Sequence, residues 1–256
     1  MVRMKAAPFM HLQVFECFAS FQGEGLGVGK AQAFLRLAGC NLSCRYCDTP
    51  GARVVPATAR LETSPFRGSF QEAPNPLPAG ELAGWLRSNL QPGMDSISLT
   101  GGEPLLQAEG LAALLDELGP GRLPVHLETN ATLPEKLELL ESRVETACLD
   151  VKLESVAGCG RQLEKHLACL ALCRTGRAFL KVVLSEGYDP VELEEAALEL
   201  GSLGRARALV LQPVTPVDGS VSRPAPASLW RAYRICSRYF EEVRVIPQAH
   251  RCMGVP

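Results

Sequence analysis

Cys40-Asn41-Leu42-Ser43-Cys44-Arg45-Tyr46-Cys47 sets three cysteines in one short loop, with the spacing Cys-x3-Cys-x2-Cys. It follows Ala33-Phe34-Leu35-Arg36-Leu37-Ala38-Gly39, which reads as a strand ending in a glycine that lets the chain turn. Zinc sites and disulfide frameworks use an even complement of soft ligands, and here the number is odd. Three thiolates hold three corners of a [4Fe-4S] cube and leave the fourth iron open to a small molecule. An open iron binds and activates, where a fully ligated cluster only passes electrons, so the loop reads as a catalytic site. The competing reading is a zinc knuckle with its fourth ligand elsewhere, among the seven other cysteines and four histidines. Zinc sites of that kind usually arrive as Cys-x2-Cys pairs, which this loop does not match.

Working outward, strands and helices alternate. Extended segments are expected near residues 11–18, 33–37, 96–99, 125–128, 146–149, 178–184, 208–211 and 242–245. Helical patterns lie between them, at residues 79–90, 105–118, 134–140, 161–174, 190–200 and 226–240. Such alternation predicts an α/β chain with a mostly parallel sheet and helical crossovers. About six crossovers are too few for a closed eight-fold barrel, so the expected fold is a partial, open βα barrel of about six parallel strands. Residues 1–256 are expected to form one domain. The run Pro56, Pro65, Pro74, Pro76 and Pro78, with Gly68, has no period, so residues 51–78 are expected to be an irregular loop or insertion.

Composition fits an ordinary globular enzyme: 256 residues, 46% apolar and 21% charged. A net charge of −2 and a pI near 6.1 leave no basic footprint for nucleic acid. No apolar run reaches membrane-spanning length, and the N-terminus lacks an apolar core with a cleavage site, so a membrane is not an expected partner. Ten cysteines in a domain this large read as reduced thiols in the cytoplasm, a compartment that also suits a labile cluster.

Thr100-Gly101-Gly102-Glu103-Pro104 follows the strand ending at Leu99. Two glycines there expose backbone groups to close approach by a ligand. Together with the triad, this motif resembles the radical S-adenosylmethionine (SAM) superfamily, in which a Gly-Gly-Glu turn holds the SAM amino group. The resemblance implies a [4Fe-4S] cluster on Cys40, Cys44 and Cys47, with SAM on its open iron. SAM contacts are implied for Tyr46, Cys47 and Asp48, for Gly102 and Glu103, and for the later strand ends Asp150-Val151-Lys152 and Gln212-Pro213-Val214-Thr215. Glu128-Thr129-Asn130 is a further strand-end candidate, suited to ribose hydroxyls.

Phe21-Gln22-Gly23-Glu24-Gly25 before the triad, Arg36, Cys47-Asp48-Thr49 after it, and the tail Pro247-Gln248-Ala249-His250 narrow the family. The combination resembles the 7-carboxy-7-deazaguanine synthases of 7-deazapurine (queuosine precursor) biosynthesis, essentially from end to end. The implied reaction converts 6-carboxy-5,6,7,8-tetrahydropterin, by ring contraction with loss of ammonia, in a Mg2+-dependent lyase. The implied substrate contacts are Gln22, Gly23, Glu24, Arg36, Thr100, His250 and the Pro256 terminus, with Arg36 clamping the carboxylate. A hydroxyl is a hard ligand suited to Mg2+, and the family pattern places the ion on Thr49. A flavodoxin- or ferredoxin-type electron donor and a homodimer complete the expected setting. Two alternatives remain open to the sequence: an activase that makes a glycyl radical on a partner protein, and a non-enzymatic zinc-binding module.

Overall fold

The computed structural model describes residues 10–174, 176–216 and 221–255. Strands β1 (His11–Leu12), β2 (Val14–Phe21) and β3 (Ala31–Leu37) open the chain. β4 (Thr58–Glu62), β5 (Phe70–Pro74) and β6 (Leu77–Pro78) then lead into α1 (Ala79–Asn89). A regular alternation follows: β7 (Ser96–Gly101), α2 (Ala108–Leu118), β8 (Val125–Thr129), α3 (Pro134–Leu140), β9 (Thr146–Val151), α4 (Glu154–Ala157) and α5 (Leu163–Leu172). The chain closes with β10 (Ala178–Leu184), α6 (Pro190–Ser202), β11 (Ala206–Pro213), α7 (Pro226–Cys236), β12 (Val243–Val245) and α8 (Ala249–Met253).

The main sheet has the order β12-β11-β10-β9-β8-β7-β3-β2-β4-β5. From β3 through β12 every neighbouring pair is parallel. No pairing closes the ends among the described residues, so the expected open βα architecture is what the chain adopts. β2 pairs antiparallel with β3 and parallel with β4, and β4 and β5 form an antiparallel hairpin. The stretch 51–78 is therefore not irregular: it widens the sheet by a hairpin, with β6 pairing β1 alongside. Its prolines sit at strand ends and turns, where a missing N–H is tolerated.

Burial on both faces explains the apolar strands. β10 reads Ala-Phe-Leu-Lys-Val-Val-Leu and is buried throughout, as expected of a strand covered on both sides. Along β9 the faces separate with period two. Ala147, Leu149 and Val151 pack into the main core under the helices. Cys148 joins a small cluster with Phe179, Ala208 and Val210, and Asp150 faces a cavity. The helices complete the outer layer: α2 buries Leu111, Leu114 and Leu115, the i, i+3, i+4 stripe of an amphipathic helix. α6 begins with Asp189 accepting from Val191 N at 2.8 Å and Pro190 in its first turn, both favourable at a helix start.

Candidate active site

The carboxyl ends of the parallel strands surround a cavity of about 350 Å³. The loop after β3 brings Cys40, Cys44 and Cys47 to its wall, all three as free thiols. Backbone bonds set the loop's path: Gly39 N donates to Ala52 O at 2.8 Å, Glu103 N to Gly39 O at 2.8 Å, and Arg45 N to Ala157 O at 3.0 Å. Asn41 ties it to the end of β8, donating to Thr132 Oγ1 at 2.9 Å and accepting from Asn130 Nδ2 at 2.9 Å. Burial pushes the Cys44 thiol up to about 12 and raises Cys40 as well, with the ammonium of Lys152 pulling both the other way. Thiolate ligation must therefore displace protons, so metal loading is favoured as pH rises.

The Gly-Gly-Glu turn lines the cavity and also has a structural job. A Cβ on Gly101, at φ +135°, would lie 2.2 Å from Leu37 O, and one on Gly102 would lie 2.1 Å from Gly39 O. These glycines let the end of β7 cross the cluster loop, backbone against backbone. Glu103 is fully buried, accepting from Leu105 N at 2.9 Å and Thr129 Oγ1 at 2.7 Å on one oxygen, and from Asn130 N at 2.7 Å on the other. Burial raises its pKa to about 7 against those three donors. Its carboxylate pins β7 to β8, while backbone groups of the turn line the cavity.

Strand register arranges the opposite wall. Arg36 pairs with Thr100, Glu128 with Cys148, and Asp150 with Lys181 across adjacent strands, all facing the cavity. Glu128 accepts from Gln22 Nε2 at 2.7 Å and Thr100 Oγ1 at 3.0 Å. Burial alone would raise Glu128, but His126, Lys181 and Gln22 hold it down at about 2. Lys181 Nζ lies 2.5 Å from Glu24 and 3.1 Å from Asp150, and Lys152 Nζ lies 2.9 Å from Asp150. Lys152 also sits 5.1 Å above the centre of the Tyr46 ring. Arg36 Nε is paired with Glu16 at 3.0 Å.

The tail covers the mouth. Ala249 N donates to Gly23 O at 2.8 Å, and Gln248 Nε2 bridges Glu24 (2.8 Å) and Asp48 (2.6 Å). Glu24, Asp48 and His250 bring one ligand atom each to within 4.8 Å of one another. Val255 also lines the cavity, and Pro256 lies outside the described residues.

A model of the radical SAM superfamily matches residues 35–154, the span that carries the cluster loop and the Gly-Gly-Glu turn. A 7-carboxy-7-deazaguanine synthase of Geobacter sulfurreducens is 40% identical over 245 residues, covering 93% of this chain and 96% of that one. The chain belongs to this family. A synthase of Methanothermobacter thermautotrophicus is 32% identical, over 96% of this chain and 98% of its own. In fold, the crystal structure of QueE from Escherichia coli superposes with a TM-score of 0.59 at 19% identity, covering 94% and 95% of the two chains. Streptococcus suis SuiB bound to S-adenosylmethionine gives 0.53 at 18% identity, covering 82% of this chain and 48% of that one.

Family membership implies a [4Fe-4S] cluster and SAM, and the cavity suits both. Three thiols converge on it, and a space near 350 Å³ is within the usual range for small ligands. Gln212 Oε1 and Asp150 Oδ1 are buried acceptors without a partner on the protein. Both residues line the cavity, ready for ligand donors. Gln22, Gly23, Glu24, Arg36, Tyr46, Asp48, Thr49, Thr100, Gly102, Glu103, Lys152 and His250 line it too. Val151, Pro213, Val214 and Thr215 do not, and Val151 packs into the core beneath. Lys181 and Gln248 line the cavity without having been singled out from the sequence as site residues. A lone lysine inside an apolar strand was a legible signal for the first, and the Pro-Gln-x-His tail for the second.

Proposed function

We infer that the chain converts 6-carboxy-5,6,7,8-tetrahydropterin to 7-carboxy-7-deazaguanine with loss of ammonia. The observation that carries this is the convergence of Cys40, Cys44 and Cys47 with the polar wall of Gln22, Glu24 and Arg36 on one cavity, in a chain of this family. The cluster and SAM supply radical chemistry when bound. The protein's part is to bind, orient and exclude water. Tyr46, Asp150, Lys152 and Gln212 suit the SAM side, where Asp150 and Gln212 offer free acceptors. Gln22, Glu24, Thr100 and His250 suit the pterin edge. Arg36 suits its carboxylate, because its pairing with Glu16 runs through Nε. Thr49 Oγ1, 3.1 Å from Asp48 Oδ1, offers the hard oxygens that Mg2+ prefers, and we assign the ion there. Gln248 Nε2 donates to both Glu24 and Asp48, which ties the pterin-side carboxylate to the ion-side one. The same reading places the chain in a reducing cytoplasm, as a homodimer served by a flavodoxin- or ferredoxin-type donor.

Anaerobic reconstitution with iron and sulfide tests this reading. The protein should take up roughly four irons and, with SAM, a chemical reductant and the pterin, form 7-carboxy-7-deazaguanine detectable by mass spectrometry. Cys44→Ala should lose the cluster and the product together. A cluster-loaded chain that cleaves SAM yet leaves the pterin intact would overturn the assignment.

A further inference from the structure

A lysine stands in the middle of β10, flanked by apolar residues along the whole strand and buried with them. Removing an ammonium from water is costly unless opposite charges and hydrogen bonds receive it. Lys181 receives both: Glu24 Oε2 at 2.5 Å and Asp150 Oδ2 at 3.1 Å. These partners come from distant parts of the chain. Asp150 is its register neighbour on β9, and Glu24 lies in the segment after β2. Burial opposes charge on Lys181, but Asp150 and Glu24 outweigh it and hold the ammonium protonated.

Two details point beyond packing. Lys152 and Lys181 both engage Oδ2 of Asp150, which leaves Oδ1 buried and unpartnered in a residue that lines the cavity. Glu24 is held on its other oxygen by Gln248, so Lys181 completes a two-point clamp on that carboxylate. Apolar residues at 24, 150 and 181 together would fill this space at no electrostatic cost, since buried ion pairs are often replaceable as a set, whereas a methionine at 181 alone would leave two carboxylates without their shared ammonium. Stability alone gives this strand no reason to carry the charge.

We propose that Lys181 is a positioning residue for the ring contraction: its ammonium fixes the pterin-reading carboxylate of Glu24 against the cofactor-side carboxylate of Asp150. Substrate and cofactor are thereby held in one register across the sheet. This rests on the assignment of Glu24 to the pterin made above.

The test uses the reconstituted protein and four variants: Lys181→Met, Lys181→Arg, Glu24→Gln and the Lys181→Met/Glu24→Gln double. Lys181→Met should keep its iron, raise KM for the pterin on the order of tenfold and weaken SAM binding, with a smaller change in kcat. Lys181→Arg should restore most of the KM. The double variant should bind pterin no worse than the poorer single, because both remove one clamp. A folded, iron-loaded Lys181→Met with unchanged KM and SAM affinity would overturn the proposal, as would single effects that multiply in the double. If Lys181→Met fails to load iron, denaturant unfolding of the cluster-free chains decides instead. Recovery of stability on adding Glu24→Gln supports the clamp, and additive losses refute it. A wild type inactive on the pterin would condemn the functional reading, and the unfolding cycle would still judge the pairing.

Discussion

His166 lies one layer behind the site on α5 and is 1% exposed. Its Nδ1 faces Ala131 O at 3.1 Å, and its Nε2 accepts from Lys152 N at 3.0 Å. The ring must therefore be neutral, with its proton on Nδ1, to serve both. In this form it fixes the backbone of Lys152 and the turn after β8 that holds Asn41 of the cluster loop. Burial lowers its pKa from 6.5 to about 4. A folded-state pKa below the unfolded one means that the unfolded chain binds the extra proton between those two values. The contribution is complete above pH 6.5 and is lost as pH falls towards 4. Its size is about 3 kcal/mol at neutral pH. Glu103, raised to about 7, drifts the other way in both proteins, so urea unfolding should show the stability advantage of the wild type over His166→Gln shrinking as pH falls across this window. Parallel curves would show that another group titrates there. A histidine with no metal spacing gives no sign in sequence that it holds a backbone turn, since both of its partners become neighbours only in the folded chain.

At the scale of elements, the parallel strands were legible because burial on both faces leaves near-continuous apolar runs. The cysteine loop was legible because its ligands are local. The β4–β5 hairpin was not: Thr-Ala-Arg-Leu-Glu and Phe-Gln-Glu-Ala-Pro are short and polar, and prolines surround them. Long-range contacts hold it instead. Glu62 is 2% exposed and accepts from Ala19 N at 2.7 Å, Arg67 N at 3.0 Å and Gly68 N at 2.8 Å. One carboxylate thus joins the hairpin turn to β2. Asn75 does the same at the other end, donating to Val14 O at 2.7 Å and accepting from Val14 N at 3.0 Å, where β2 shifts register. Glu62→Ala leaves those N–H groups without their acceptor and should cost about 2–3 kcal/mol. Limited proteolysis should then cut first within residues 63–69. Unchanged stability and an uncut turn would show that the hairpin is held by its strand pairing alone.

Across the whole molecule, the segment after β2 and the far end of the described chain meet over the cavity. The segment after β2 supplies its rim, and α8 closes on that rim from the far end of the sequence. A glycine makes the closure possible. A Cβ on Gly23 would lie 2.2 Å from His250 Nδ1 and 2.5 Å from His250 Cβ. The second contact is with the root of the side chain, which no rotamer change relieves. Gly23 is not in the left-handed region, so an alanine strains nothing locally, and its whole effect falls on α8. Gly23→Ala should therefore push His250 and Gln248 away from Glu24 and Asp48 while leaving the cluster loop in place. Iron content and SAM binding should stay at wild-type levels, KM for the pterin should rise on the order of tenfold, and the amides of residues 249–255 should exchange faster with solvent. Faster exchange with an unchanged KM would make α8 a cover that plays no part in recognition. Unchanged exchange would mean that the rim can yield, and that the contact between Gly23 and His250 does not set the closure.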